Sequence, residues 1–304
     1  MKKNPYLFKE FRGGIDDVFY NTFDRTWAKV APDQPEPSRV LTKLPIEAAD
    51  DDGTVVYNYN NDFFRSDNFT SSHEGKKHIL FAGCSQTEGV GAPLESVWSH
   101  VLTNKLGSDL GFYSIAKSGF GWQKIITSFM VYVDKYGAPD YLFALLPNLG
   151  RFFVWEDHSG SFSYVQRYPN GGEVSTEQED PSKIAPGTFI EKPFSNEEHK
   201  RSFVDFSISW KLFEKYCEAI GTKVLWASWD YTENKNYELA QISKNYISLG
   251  EDKQFEYVCS QRPYGQMQKF DLFRRDGHAG VLINEYWATE FEKEIISRGW
   301  LLEH

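Results

Sequence analysis

From residue 77 onward the apolar positions alternate between two rhythms. Ile79 to Ala82 is a short continuous apolar run, the pattern of a strand buried on both faces, and Gly83 ends it. Leu94, Trp98, Val101, Leu102 and Leu106 then recur at helical spacing, with Gly107 where a C-terminal cap belongs. The same succession repeats. Phe112 to Ala116 predicts a second strand, ending in Lys117-Ser118-Gly119-Phe120-Gly121. A helix follows, with Trp122, Ile125, Ile126, Phe129, Met130 and Val133 on one side and Gly137 at its end. Tyr141 to Leu146 predicts a third strand, closed by Pro147-Asn148. Phe203, Phe206, Trp210, Phe213, Cys217 and Ile220 form another helical stripe before Gly221, and Val224 to Trp226 a fourth strand. Val281 to Arg298 predicts a final helix with Trp287, Phe291 and Ile295 inward. Repeated strand–turn–helix units predict a parallel sheet with helices on its faces.

Three stretches depart from this rhythm. Residues 1–54 read as an N-terminal arm: Val18, Phe19, Phe23 and Trp27 give a patchy helical pattern that Pro32, Pro35 and Pro37 break. Asp50-Asp51-Asp52-Gly53 then marks a turn before Thr54 to Tyr59, which alternates like a strand. Residues 55–304 form the main domain. Within it, residues 149–194 and 230–270 read as irregular, the first rich in aromatics, glycine, proline and acidic residues, with Asn170-Gly171-Gly172 as a hairpin turn. A long irregular insertion in a compact domain is usually functional, as a lid or binding loop.

Charge and composition narrow the function classes. The formal net charge of −10 argues against non-specific nucleic-acid binding, which needs a basic face. Three cysteines, Cys84, Cys217 and Cys259, are too few and too scattered for a disulfide framework or a zinc cluster. None of the seven histidines pairs with a second His or a Cys at metal-ligand spacing, so no metal is expected. No apolar run reaches the ~18 residues of a membrane span, and the charged start of the chain lacks the apolar stretch of a signal peptide. A cytoplasmic protein is the expectation.

The candidate chemistry lies at the strand ends. Ser85 follows the first strand, and Glu88 three residues on has capping-box spacing, so Ser85 reads either as a helix N-cap or as a nucleophile. His278 lies in Asp276-Gly277-His278, directly before the last helix. Asp276 can orient the imidazole of a general base, or Asp276-Gly277 is only a turn. Acyl transfer also needs oxyanion donors. The Ser85 and Gly119 N–H groups and the Asn148 amide fall at the ends of three consecutive strands, along one edge of a parallel sheet.

These blocks, in this order, resemble the SGNH or GDSL-type hydrolases. Gly83-Cys84-Ser85-Gln86-Thr87-Glu88-Gly89 is similar to the family's first block, usually Gly-Asp-Ser-x-Thr-x-Gly. Ser114 to Gly121 resembles the second, Leu146-Pro147-Asn148 the third and Asp276-Gly277-His278 the last; Asn60 to Arg65 resembles the lead-in of larger members. The resemblance implies a flavodoxin-like three-layer α/β/α sandwich and ester hydrolysis by a Ser85–His278–Asp276 triad. It also implies an oxyanion hole of Ser85, Gly119 and Asn148, and no metal or cofactor. The sequence departs from the family at Cys84, where Asp is usual, at Leu146 and Leu149, where Gly and Asp are usual, and in the two-residue spacing of acid and base. Phe152, Trp155 and Tyr164, interleaved with polar residues, suggest either a sugar-stacking surface, and so an O-acetylated carbohydrate and not a lipid as the acylated partner, or a structural flap or oligomer contact. A non-catalytic module on the same scaffold and an acyltransferase are the competing readings.

Overall fold

The computed structural model describes residues 39–43, 54–62, 64–71, 76–107, 110–149, 151–156, 161–168, 190–193, 196–229, 233–261 and 278–300. Its centre is a parallel sheet of five strands: β3 (Lys77–Gly83), β4 (Leu110–Ser114), β5 (Tyr141–Leu146), β9 (Lys223–Ser228) and β10 (Tyr246–Ile247). Across the sheet the order is β10-β9-β5-β3-β4, with every neighbouring pair parallel. Counting only these strands, that order is 2-1-3-4-5, the flavodoxin-like arrangement, and its switch point lies between β3 and β5.

Alternation along the strands feeds two separate cores. Leu80 and Ala82 of β3, Leu142, Ala144 and Leu146 of β5, and Val224 and Trp226 of β9 meet one apolar cluster. That cluster also holds Ile125 and Phe129 of α3 (Trp122–Tyr136) and Phe206, Trp210 and Cys217 of α4 (Asn196–Ala219). The intervening residues, Ile79, Phe81, Phe143, Leu145, Leu225 and Ala227, belong to the other cluster. It takes in Trp98 and Leu102 of α2 (Trp98–Leu106) and Trp287, Phe291 and Ile295 of α7 (Val281–Ser297). A sheet buried on both faces has no room for polar alternation, which is why these strands read as continuous apolar runs. The result is the expected three-layer α/β/α sandwich.

Two stretches expected to be irregular carry regular structure. Residues 230–270 contain α5 (Glu233–Ile242), β10 and α6 (Glu251–Gln261). Among their described side chains, the buried apolar ones are Leu239 in α5 and Val258 in α6, and Gln254 of α6 is buried as well. Such narrow anchoring leaves little helical signal in the sequence. Residues 149–194 stand outside the strand–helix repeat, as expected, yet contain a three-stranded sheet of β6 (Arg151–Glu156), β7 (Ser161–Tyr168) and β8 (Ile190–Pro193). β6 and β7 pair antiparallel and β8 joins β7 in parallel. The aromatic and β-branched residues of 151–168 are good strand formers, and it is the glycine, proline and acid that follow them which made the whole segment look irregular. The Asn170-Gly171-Gly172 turn and the helical pattern at 16–30 lie outside the described residues.

Ahead of the main sheet, β1 (Arg39–Lys43) pairs antiparallel with β2 (Thr54–Asn58). The loop after β2 is folded around Asn60, whose Oδ1 accepts the N–H groups of Asp62 and Phe64, both at 3.0 Å, while its Nδ2 donates to the Asp67 carbonyl. Phe64 and Phe69 enter the core beside α3. This loop delivers Arg65 to the site.

Candidate active site

Ser85 opens a one-turn helix, α1 (Ser85–Glu88), directly after β3. Gly83 is required there by close approach: a Cβ on it would come within 2.1 Å of Thr87 Oγ1 and 2.8 Å of the Leu145 carbonyl oxygen. The N-cap of α1 is Cys84, not Ser85, and its backbone carbonyl accepts the Thr87 and Glu88 N–H groups. The capping-box expectation is therefore corrected. Ser85 is the first helical residue, and Glu88 turns away from the helix start towards other partners. Ser85 is buried but for 8% of its surface.

Arg65, 2% exposed, holds the far end of α1. Its Nη1 donates to the carbonyls of Glu88 (3.1 Å) and Gly89 (2.7 Å), its Nη2 to that of Ala92 (3.0 Å), and its guanidinium lies 4.4 Å over the Tyr57 ring. The Tyr57 hydroxyl accepts the Gly91 N–H. Three carbonyls at a helix end are the groups a guanidinium fork satisfies best.

The Glu88 carboxylate crosses to the neighbouring strand end. One oxygen accepts the Ser118 N–H at 2.6 Å and the Ser118 hydroxyl; the other accepts the Tyr59 hydroxyl at 3.0 Å. Burial, with the Glu88 charge adding to it, pushes the Tyr59 phenol pKa well above its usual value. Ser118 precedes Gly119, which has a φ of +79° that glycine adopts without strain. Below this turn Lys117 and Lys124 are buried. Desolvation lowers the Lys117 pKa to about 8 and the Lys124 pKa to about 7. Asn148 lies just past β5, after Pro147, and is also buried.

His278, half-buried, stands just ahead of α7. Its neighbour Ala279 donates its N–H to the Gln86 side-chain carbonyl at 2.9 Å, joining the chain beside Ser85 to the chain beside His278. Asn284 reinforces the junction: its Oδ1 accepts the Trp98 N–H, and its Nδ2 donates to the Gly280 carbonyl at 3.0 Å. The Trp98 indole in turn donates to Thr87 Oγ1 within α1. Ser85, Gly119 and Asn148 thus follow the carboxyl ends of β3, β4 and β5, and His278 is tied to the same edge. Asp276 lies outside the described residues.

Cys84 has a structural partner. Its fully buried thiol accepts the Trp229 indole N–H at 3.3 Å, and the Trp229 N–H reaches the Leu146 carbonyl, so this residue locks the ends of β3, β5 and β9 together. The three aromatic candidates fall in the second sheet, Phe152 opposite Val165, Trp155 opposite Phe162 and Tyr164 opposite Phe153. Sequence reasoning missed Arg65 and misassigned Glu88; the one available signal was an arginine inside the lead-in Asn60 to Arg65. Among the described residues no group of three or more His, Cys, Asp or Glu side chains could hold a metal ion. No helix among them is long and apolar enough to cross a membrane.

No protein-family model and no curated protein matches the sequence. Solved structures do show likeness. A Bacillus subtilis protein is 16% identical with a TM-score of 0.43, over 74% of this chain and 57% of its own. A member of the lipolytic protein G-D-S-L family from Veillonella parvula is 11% identical with a TM-score of 0.42, over 73% of this chain and 99% of its own. The psychrotrophic esterase EstA from Pseudoalteromonas sp., inhibited by monoethylphosphonate, is 12% identical with a TM-score of 0.42, over 73% and 98%. The fold itself is set by the chain's own strand order: a flavodoxin-like sheet with its serine turn at the switch point.

Proposed function

We propose that this protein is a serine ester hydrolase of the SGNH type. The observation that carries the reading is the 2.9 Å bond from the Ala279 N–H to Gln86, which holds the segment of the candidate base against the turn of the candidate nucleophile. Ser85 Oγ attacks the acyl carbon while His278 takes its proton, and Asp276 steadies the imidazolium. The oxyanion is met by the Ser85 and Gly119 N–H groups and the Asn148 amide. The ester C–O bond breaks as His278 returns the proton to the departing alcohol. Water, deprotonated by His278, then releases the acid by the same route. The reading calls on no cofactor.

The substrate we infer is an O-acetylated carbohydrate. Support comes from Trp155 and Tyr164, which the register puts on one face of two paired strands after Asn148, where a small sheet can present aromatic residues to a sugar ring; Phe152 falls on the opposite face.

Ser85→Ala should lower turnover of a short-chain acyl ester by roughly 10⁴-fold or more. It should also abolish labelling by a serine-directed phosphonate. Unchanged turnover, or no labelling of the folded wild-type protein, refutes the assignment. Acetate release from an acetylated polysaccharide, set against cleavage of a long-chain ester, tests the substrate class; preference for the long chain refutes it.

A further inference from the structure

Resting on the serine-hydrolase reading, we infer that Glu88 is a positioning residue that aims the Gly119 N–H at the oxyanion. The turn after β4 is closed by the Phe120 N–H donating to the Lys117 carbonyl at 3.1 Å, and its third residue, Gly119, has φ +79°. A closed turn with positive φ at that position has type II character. In such a turn the peptide between the second and third residues, here Ser118 and Gly119, decides where the third N–H points. The type I alternative rotates that peptide by about half a turn and carries the Gly119 N–H to the opposite side.

Glu88 holds the peptide's near end. Its Oε2 accepts both the N–H and the hydroxyl of Ser118, so the residue is gripped at two points by one atom. The Oε1 is fixed by Tyr59, and the Glu88 carbonyl by Arg65. Glu88 is 4% exposed and lies three residues after Ser85 on the same one-turn helix. The nucleophile and the Ser118–Gly119 turn are thereby registered to each other through a single side chain, on top of the Lys117 N–H bond to the Gly83 carbonyl at 3.3 Å. A carboxylate suits this task because it accepts two donors on one oxygen, which an amide or hydroxyl does less well. Glu88 touches no reacting atom and acts through Ser118.

The test measures kcat and KM on a short acyl ester per phosphonate-titrated serine, for wild type, Glu88→Ala, Glu88→Gln and Ser118→Ala. Glu88→Ala should lower kcat roughly 10- to 100-fold, the scale of a ~1 Å misplacement, with KM within about twofold. Its phosphonate inactivation rate should fall in parallel, since that adduct also carries an oxyanion. Glu88→Gln, which keeps one acceptor for Ser118, should recover much of the loss, and Ser118→Ala should cost about 3- to 10-fold. Titrated wild type with Glu88→Ala kcat per active serine unchanged overturns the positioning role and leaves the hydrolase reading standing. A loss in KM alone also overturns it. If Glu88→Ala does not fold, an unchanged kcat in both Glu88→Gln and Ser118→Ala overturns it equally. Wild type that does not titrate overturns both the role and the reading beneath it.

Discussion

The turn that carries Ser85 and the segment that carries His278 are joined by the Ala279–Gln86 hydrogen bond and differ in what holds them among the described residues. Around Ser85 the chain is held from several directions. Arg65 binds three carbonyls, Tyr57 takes an N–H, Trp98 bonds Thr87, and Gly83 packs against backbone. Among the described residues, the amide side chains of Gln86 and Asn284 bond the His278–Gly280 segment. A nucleophile needs one fixed position, whereas a base must exchange a proton with two partners in turn, the serine and the departing alcohol. On the serine-hydrolase reading, the described contacts preorganise the Ser85 side, onto which the His278 segment docks through Gln86.

The comparison can be broken from either side. Arg65→Ala should have the largest effect. It strands three acceptors in a buried site, costs about 3 kcal/mol or more in urea denaturation, and abolishes turnover with it. A loss below about 1 kcal/mol, the worth of an ordinary hydrogen bond, would show that the Ser85 turn stands without its clamp. Gln86→Ala cuts the tie between the Ser85 helix and the His278 segment. Stability should drop only about 1 kcal/mol, while kcat falls roughly 10- to 100-fold because the imidazole loses its register. An equal fall in stability for the two variants would erase the distinction.

The buried lysines near the Ser118–Gly119 turn add a pH dependence. Burial, with repulsion from Lys117 added, lowers the Lys124 pKa to about 7; burial likewise lowers the Lys117 pKa to about 8, against the attraction of Glu88. Between those values and the ~10.4 of a free lysine, the unfolded chain holds a proton that the folded chain does not. Stability must therefore rise with pH in that window. Urea midpoints should climb from pH 7 to 9, and Lys124→Met should flatten the climb; a midpoint that falls would contradict the burial. The smallest effect belongs to Cys84→Ala. Turnover should stay within about threefold and stability fall by about 1–2 kcal/mol, from a small cavity and an orphaned indole N–H. A loss matching that of Ser85→Ala would make the thiol the nucleophile instead.

What could be read from the sequence was whatever one segment encodes by itself. Ile79 to Ala82 and Tyr141 to Leu146 announce buried strands by uninterrupted apolar character, and the α3 and α4 stripes announce helices. With parallel strands given, the shared edge of Ser85, Gly119 and Asn148 follows. β10 was illegible because two residues, Tyr246 and Ile247, make no pattern, and α5 and α6 because each rests on a narrow apolar anchor. Glu88 shows the limit most clearly. Its spacing from Ser85 fits a local cap, but its partners are Ser118 and Tyr59, 30 and 29 residues away, and only the assembled sheet brings them within reach. Arg65 was hidden for the same reason, since a buried cation is a property of the tertiary structure and not of the lead-in loop.

The three thiols have a consequence for how motion at the site can be followed. Cys84 and Cys217 are fully enclosed, the first under the Ser85 turn and the second in the core beneath α4, while Cys259 is partly open. A small disulfide reagent should therefore modify Cys259 at once and the other two only as often as the chain opens around them. Cys217 clocks the opening of the core, and Cys84 clocks the opening of the turn after β3. Equal rates at the two would mean that the turn opens only when the whole domain does; a faster Cys84 would give the free energy of a local breathing motion beside Ser85, read without any substrate.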